Sequence, residues 1–227
     1  MDFGKAFSFV FDDEDWIKKI LVGGLLMLIP IIGGLVVLGW AVEITKRVIK
    51  GDAEVLPDWS DFGGYLTKGF LVFVVAFVFM LPVILIQGCS SLPYLYQNAD
   101  ETMVSIFTVI SICVGCFTTL YSILAYLVLP AAIGRYAVTN VLGEAFKLGA
   151  IYKMVKENLG TYALVLLGGL VASLIASLGV IACAIGVLFT AVYSMAINGH
   201  LWGQAYKESI GSEAAPADPA EPLPTAS

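Results

Sequence analysis

The chain has 227 residues, of which 59% are hydrophobic and 13% charged, with a mean hydropathy of +0.91 and a formal net charge of −6. A soluble domain carries about 25% charged residues, so this composition excludes a water-covered globule and suits a surface that faces lipid. Acidic residues concentrate in Asp12 to Asp15 and in the C-terminal tail, so the negative charge does not imply a basic partner.

The expected fold is all-α: a polytopic integral membrane protein with about six hydrophobic helices in three hairpins, plus short amphipathic interfacial helices. Residues 1–15 form an interfacial helix and an acidic helix cap, 16–210 a single membrane domain, and 211–227 a tail. The charge pattern sets the topology. All twelve Lys and Arg residues flank the apolar stretches on one side, and the short connection inside each pair of stretches has none. Membrane chains keep such residues on the cytoplasmic side of short loops. Both termini are therefore expected in the cytoplasm of a cell membrane.

In chain order, Asp2 to Phe11 comes first. Phe3, Phe7, Val10 and Phe11 follow helical spacing and make one apolar face, with Asp2 placed to cap the start. Asp12-Asp13-Glu14-Asp15 precedes the first apolar run, unlike a cleavable signal. The acidic run favours the N-terminus of the next helix through its exposed amides.

The first hairpin has arms at 16–29 and 31–49, broken at Pro30 and Gly33-Gly34. Fourteen residues give roughly 21 Å of helix, short of a core of roughly 30 Å. This hairpin either crosses thinned bilayer or enters and returns. A polar connector follows, in which Ser60 or Asp61 can cap the next helix and Trp59 suits an interfacial anchor.

The second hairpin spans 66–133, with arms at about 66–87 and 103–133, an outer loop between them, and a kink expected at Leu81-Pro82. A second interfacial connector occupies 140–158. The third hairpin spans 161–206 with a turn near Gly179. Its forty or so apolar residues would make about 60 Å of continuous helix, so the run must fold back. A five-helix alternative would leave Lys207 outside. From Gly211 onward the chain is rich in Pro, Ala and acid, and a disordered tail is expected.

Short runs recur. Asp2-Phe3-Gly4 returns as Asp61-Phe62-Gly63, and Gly4-Lys5-Ala6-Phe7 returns as Gly143-Glu144-Ala145-Phe146. Each precedes a hairpin, which points either to shared ancestry or to shared helix-entry chemistry.

Ionisable residues inside a membrane are functional candidates, because each is costly there. Glu43 is the deepest. It can pair with Lys46 and Arg47 one turn on, or face His200 across the bundle as a proton or cation site. Asn198 and Gln204 complete a polar cluster with His200. Small residues form stripes at i+4 spacing: Gly169, Ser173 and Ser177; Ala182, Gly186, Thr190 and Ser194; and Ser111, Gly115 and Thr119. Such stripes let helices approach closely in lipid. Cys113 and Cys116 lie in an apolar stretch without the ligands that a zinc site requires, and a Cys89–Cys183 disulfide is conceivable across the outer side.

No catalytic fingerprint occurs, no cofactor or metal is implied, and no basic patch with interleaved aromatics points to nucleic acid. The expected partners are membrane lipid and other membrane proteins or a second copy. The runs IPIIGGLVVLGWAVEITKRVIKGD, LPDWSDFGG and GHLWGQAY resemble a prokaryotic family of uncharacterised multi-pass membrane proteins, domain of unknown function 4013. The resemblance covers nearly all of the chain except the tail and implies a membrane location, but no activity. The expected role is non-enzymatic, organising membrane or binding partners. The alternative is a small transporter or channel-like subunit with a polar site near Glu43, Asn198 and His200.

Overall fold

The computed structural model describes residues 1–91, 101–180 and 183–214, with side chains at 89–91, 101, 183–185 and 212–214 excepted. The described residues are helical, without strands. The helices are α1 (Phe3–Ser8), α2 (Trp16–Leu26), α3 (Ile32–Lys50), α4 (Phe62–Ser91), α5 (Glu101–Thr139), α6 (Leu148–Glu157), α7 (Leu159–Leu178) and α8 (Cys183–Ala214). Short 3-10 segments occupy Phe9–Asp12 and Leu142–Phe146. Among the described residues three helical stretches are long and apolar enough to cross a membrane: Phe62–Gly88, Thr102–Thr139 and Leu159–Leu178.

Two helices form the centre. α3 packs against α4 and α8, and α8 also packs against α7. Glycines set these distances. A Cβ added at Gly199 of α8 would stand 2.5 Å from the Ala41 carbonyl oxygen of α3, and one at Gly203 would stand 2.8 Å from that of Thr45. Gly39 and Gly69 bring α3 and α4 together in the same way, each lying against backbone of the other helix. Helices in lipid gain no hydrophobic attraction from one another, so close packing of this kind is a main source of their association.

The N-terminal segment docks onto this centre. Asp2 caps α1, its Oδ1 accepting from the Lys5 amide at 2.9 Å. The expected face of Phe3, Phe7, Val10 and Phe11 is only partly the buried one. Val10 is buried, but so are Ala6 and Phe9, whereas Phe11 is 53% exposed. The cause is the change from α to 3-10 winding after Ser8. With three residues per turn, Phe9 rotates inward and Phe11 outward.

α2 ends at Leu26, earlier than expected. Ile31 precedes α3 with φ of +66° and ψ of −59°, a positive-φ conformation that β-branched residues rarely adopt. Gly33 allows the close return, because a side chain there would collide with the Leu26 carbonyl. Asp61 caps α4 through the Gly64 amide at 3.0 Å, so the two Asp-Phe-Gly runs share helix-entry chemistry. Pro82 lies inside a helix that continues past it to Ser91. α8 also runs beyond its expected end, to Ala214; the rest of the expected tail lies outside the described residues. The expected outer loop falls largely on 92–100, also outside them.

Candidate functional site

The polar residues of α8 divide between two faces. Residues 198 and 200 are about 200° apart on a helix of 3.6 residues per turn, so they serve different neighbours. Asn198 turns toward α7. Its Nδ2 donates to the Ser194 carbonyl at 2.9 Å, which fixes the amide orientation. Its Oδ1 is buried and has no hydrogen-bond partner.

His200 turns toward the N-terminal segment. Its ring lies 4.4 Å from that of Phe9, centroid to centroid. The Gln204 Nε2 donates to His200 Nδ1 at 3.0 Å, which leaves the neutral ring's proton on Nε2. Gln204 also grips the backbone of Asp2 at two points. Its Oε1 accepts from the Asp2 amide at 2.7 Å, and its Nε2 donates to the Asp2 carbonyl at 2.9 Å. Tyr193 adds a third tie by donating its hydroxyl proton to the Phe7 carbonyl at 2.6 Å. Three of the four expected cluster residues therefore lie on α8, and two of them hold the N-terminus in place.

Glu43 is not part of this arrangement, which corrects the expected grouping of Glu43 with Asn198 and His200. The face of α3 that meets α8 carries Ala41 and Thr45, and Thr45 donates to the Gly199 carbonyl at 2.9 Å. Glu43 projects from the other side of α3. There it accepts from Lys68 Nζ of α4 at 2.6 Å, with Arg47 Nε at 3.9 Å. It is an interhelical ion-pair acceptor on the α4 side.

Beyond the interfacial anchor expected at Trp59, the structure builds a second constellation around it. Trp40 and Trp59 stack with centroids 5.0 Å apart. Each indole N–H donates to a carbonyl on another segment, Trp40 to Pro57 at 2.9 Å and Trp59 to Lys19 at 2.8 Å. Lys19 Nζ in turn pairs with Asp13 at 2.7 Å and Asp58 at 3.3 Å. The LPDWSDFGG connector is thereby pinned over α2 and α3. Trp59 between Asp58 and Asp61 is the signal that the sequence carries.

The small-residue stripes are split as well. Thr190 donates to the Ala176 carbonyl at 3.0 Å, and Gly179 lies against Thr190 and the backbone of Gly186, so this part of the α8 stripe packs on α7. Ser194 is buried and holds Asn198. Ser173 and Ser177 bond carbonyls of their own helix, at Gly169 and Leu174, and Ser177 is exposed. Gly115 has open space around it, so the Ser111, Gly115, Thr119 stripe does not make the expected close helix contact there. Ala182 and the Cys89–Cys183 pair lie outside the residues whose side chains are described. Cys113 and Cys116 are exposed free thiols.

Gly169 marks a different feature. It lines a groove of about 380 Å³ between α4, α5 and α7, together with Gln87, Thr118, Ser122, Tyr126 and Ser173. A Cβ at Gly169 would lie 3.2 Å from Asn198 Oδ1 and closer still to the Tyr126 hydroxyl. Both polar groups converge on the one position without a side chain.

No curated protein and no solved structure matches this chain. The family model described as "Protein of unknown function (DUF4013)" matches residues 22–185. That match takes in the pinned connector, the Glu43–Lys68 pair and the groove. The chain is a member of the DUF4013 family.

Proposed function

We propose that the protein is a non-enzymatic integral membrane protein that organises lipid or partner proteins through the faces of its outer helices. Three hairpins enter the membrane from the cytoplasmic side, and six hydrophobic helices make up the membrane body. The observation that carries this reading is how the apolar and charged groups are distributed. α4, α5 and α7 present exposed large apolar residues along their length, among them Phe70, Phe77, Ile112, Leu124, Leu167 and Leu174. The charged groups instead pair with one another beside the connectors: Lys19 with Asp13, Glu43 with Lys68, and Arg135 with Glu144. Unpaired charge inside lipid is expensive, and Glu43 and Lys68, which lie within α3 and α4, are paired with each other.

The transport alternative rested on Glu43, Asn198 and His200 meeting around one cavity. They face α4, α7 and the N-terminal segment respectively, which favours the organising role. Reconstitution decides between the two. Donor- and acceptor-labelled copies in vesicles should show energy transfer above random proximity at matched lipid dilution, with entrapped ions and small dyes retained. Solute flux that rises in proportion to protein per vesicle would replace this reading with transport.

A further inference from the structure

We infer that the cavity between α2 and the polar connector binds the head group of an ethanolamine phospholipid, with an acyl chain laid along α2. The inference names a lipid class within the proposed organising role, and rests on α2 entering the membrane from its N-terminal end.

The cavity measures about 420 Å³, within the range of ligand pockets, roughly 300–1,000 Å³. Asp15, Lys18, Lys19 and Val22 line one wall, and Asp58, Trp59 and Ser60 the other. The two carboxylates and two ammonium groups make the lining neutral as a whole. It complements a zwitterion better than an anion.

Within that neutral total, one charge of each sign is left over. Lys19 Nζ is fully engaged, because it pairs with Asp13 and Asp58 and donates to the Leu56 carbonyl at 3.0 Å, and an ammonium has three donors. Lys18 is exposed, and its ammonium has no ion-pair partner among the described residues. Asp15 occupies the N-cap position of α2 without making a side-chain capping bond, the bond that an Asp there ordinarily makes. Asp61 caps α4, which leaves the Ser60 hydroxyl to the cavity. Asp15 and Lys18 stand one turn apart and do not pair with each other.

Their order along α2 selects the ligand. Asp15, Lys18, Val22 and Leu25 fall at i, i+3, i+7 and i+10, on one face of the helix. Inward from the N-terminal end this face is anionic, then cationic, then apolar, and Leu25 is exposed. Inward from the water an ethanolamine phospholipid is ammonium, then phosphate, then acyl chain. The two orders are complementary at each level. Three residues of helix rise about 4.5 Å, a length that the two-carbon bridge between ammonium and phosphate matches. The primary ammonium brings N–H donors for Asp15 and for the exposed Asp58 carboxylate. A choline head has no N–H, and a glycerol head has no cation for Asp15.

The test uses the full chain in detergent micelles, with native mass spectrometry to read the bound fraction across a titration. The probes are dioleoyl phospholipids with ethanolamine, choline or glycerol heads, and glycerophosphoethanolamine, which has the first head without acyl chains. The expected result is saturable binding of one ethanolamine lipid per chain. The choline and glycerol lipids should each be weaker by about tenfold, the factor for one lost charge-assisted hydrogen bond. Lys18→Met should weaken the ethanolamine and choline lipids alike, through the phosphate. Asp15→Asn should weaken the ethanolamine lipid and leave the choline lipid unchanged, so that the preference between them disappears. Lys50→Met, at the end of α3, should change neither. Asp15 and Lys18 are both exposed, so these substitutions leave the core untouched. Equal binding of the three lipids, a preference that survives Asp15→Asn, or unchanged binding in Lys18→Met would overturn the site. Glycerophosphoethanolamine that bound as tightly as the lipid would overturn the lipid source in favour of a soluble phosphoethanolamine. Failure of the organising role is a different result. Energy transfer between labelled copies that persists without any head-group preference removes the site alone, and solute flux with the preference intact removes the organising role alone.

Discussion

Gly199 of α8 lies directly against the backbone carbonyl of Ala41 on α3, with 2.5 Å between that oxygen and the point where a Cβ would sit. Gly203 repeats the approach one turn later, at Thr45 and Val48. The two central helices therefore touch backbone to backbone, and the other helices are arranged around that seam.

Gly199→Ala should consequently destabilise the bundle by about 1–3 kcal/mol, the usual cost of overpacking. Gly115→Ala, in open space, should leave stability unchanged. Thermal unfolding in a fixed detergent compares them. Equal melting temperatures for both variants would remove the seam from the account.

The Glu43–Lys68 pair links α3 to α4 at 2.6 Å with both side chains about one-fifth exposed, 18% and 21%. Removing one partner strips the other of its short hydrogen bond in a partly desolvated place, leaving Glu43 only Arg47 at 3.9 Å, at about 1–3 kcal/mol. Glu43→Gln and Lys68→Met should each lower the melting temperature, and the double variant should lose less than the sum of the two. Strict additivity would mean that the two groups do not interact.

Glu144 supplies a pH dependence. Hydrogen bonds from Lys147 and then Arg135 hold its pKa below the ordinary glutamate value of 4.5. A carboxyl with a lowered folded-state pKa stabilises fully above its unfolded pKa, and that stability is lost as pH falls through the folded value. The wild type should therefore be more stable than Glu144→Gln at pH 7, and the gap should narrow as pH falls below 4.5 and through the lowered folded-state pKa. A gap that is constant from pH 7 to pH 3 would contradict the assignment.

Much of the architecture was legible in the sequence because hydropathy and capping are local. The apolar runs place α4, α5 and α7, and Asp2 and Asp61 announce their helices. The Gly-x-x-x-Gly of Gly199 and Gly203 is equally local. What escaped is tertiary or depends on winding. Nothing near Glu43 names Lys68 on another helix as its partner, when Lys46 and Arg47 are closer in sequence. The inward turn of Phe9 depends on a 3-10 segment, which no period of 3.6 reveals. Asn198, Tyr126 and Gly169 meet only because three helices converge.

The grip of Gln204 on Asp2 predicts slow hydrogen exchange in the N-terminal segment. Amides of residues 3–10 should be protected in the wild type, and Gln204→Leu should raise their exchange rates without releasing the protein from the membrane. Exchange at the rate of an unstructured chain in the wild type would show that the segment is not docked.

The central claim is that all hairpins open to the cytoplasm, and cysteine accessibility measures it most directly. Cys89, Cys113, Cys116 and Cys183 are first replaced by serine, and single cysteines are then placed at 102, 153 and 207. An impermeant maleimide should label position 102 in intact cells, and positions 153 and 207 only after permeabilisation. Labelling at 207 in intact cells, with 153 protected, would contradict the six-helix account and leave five crossings.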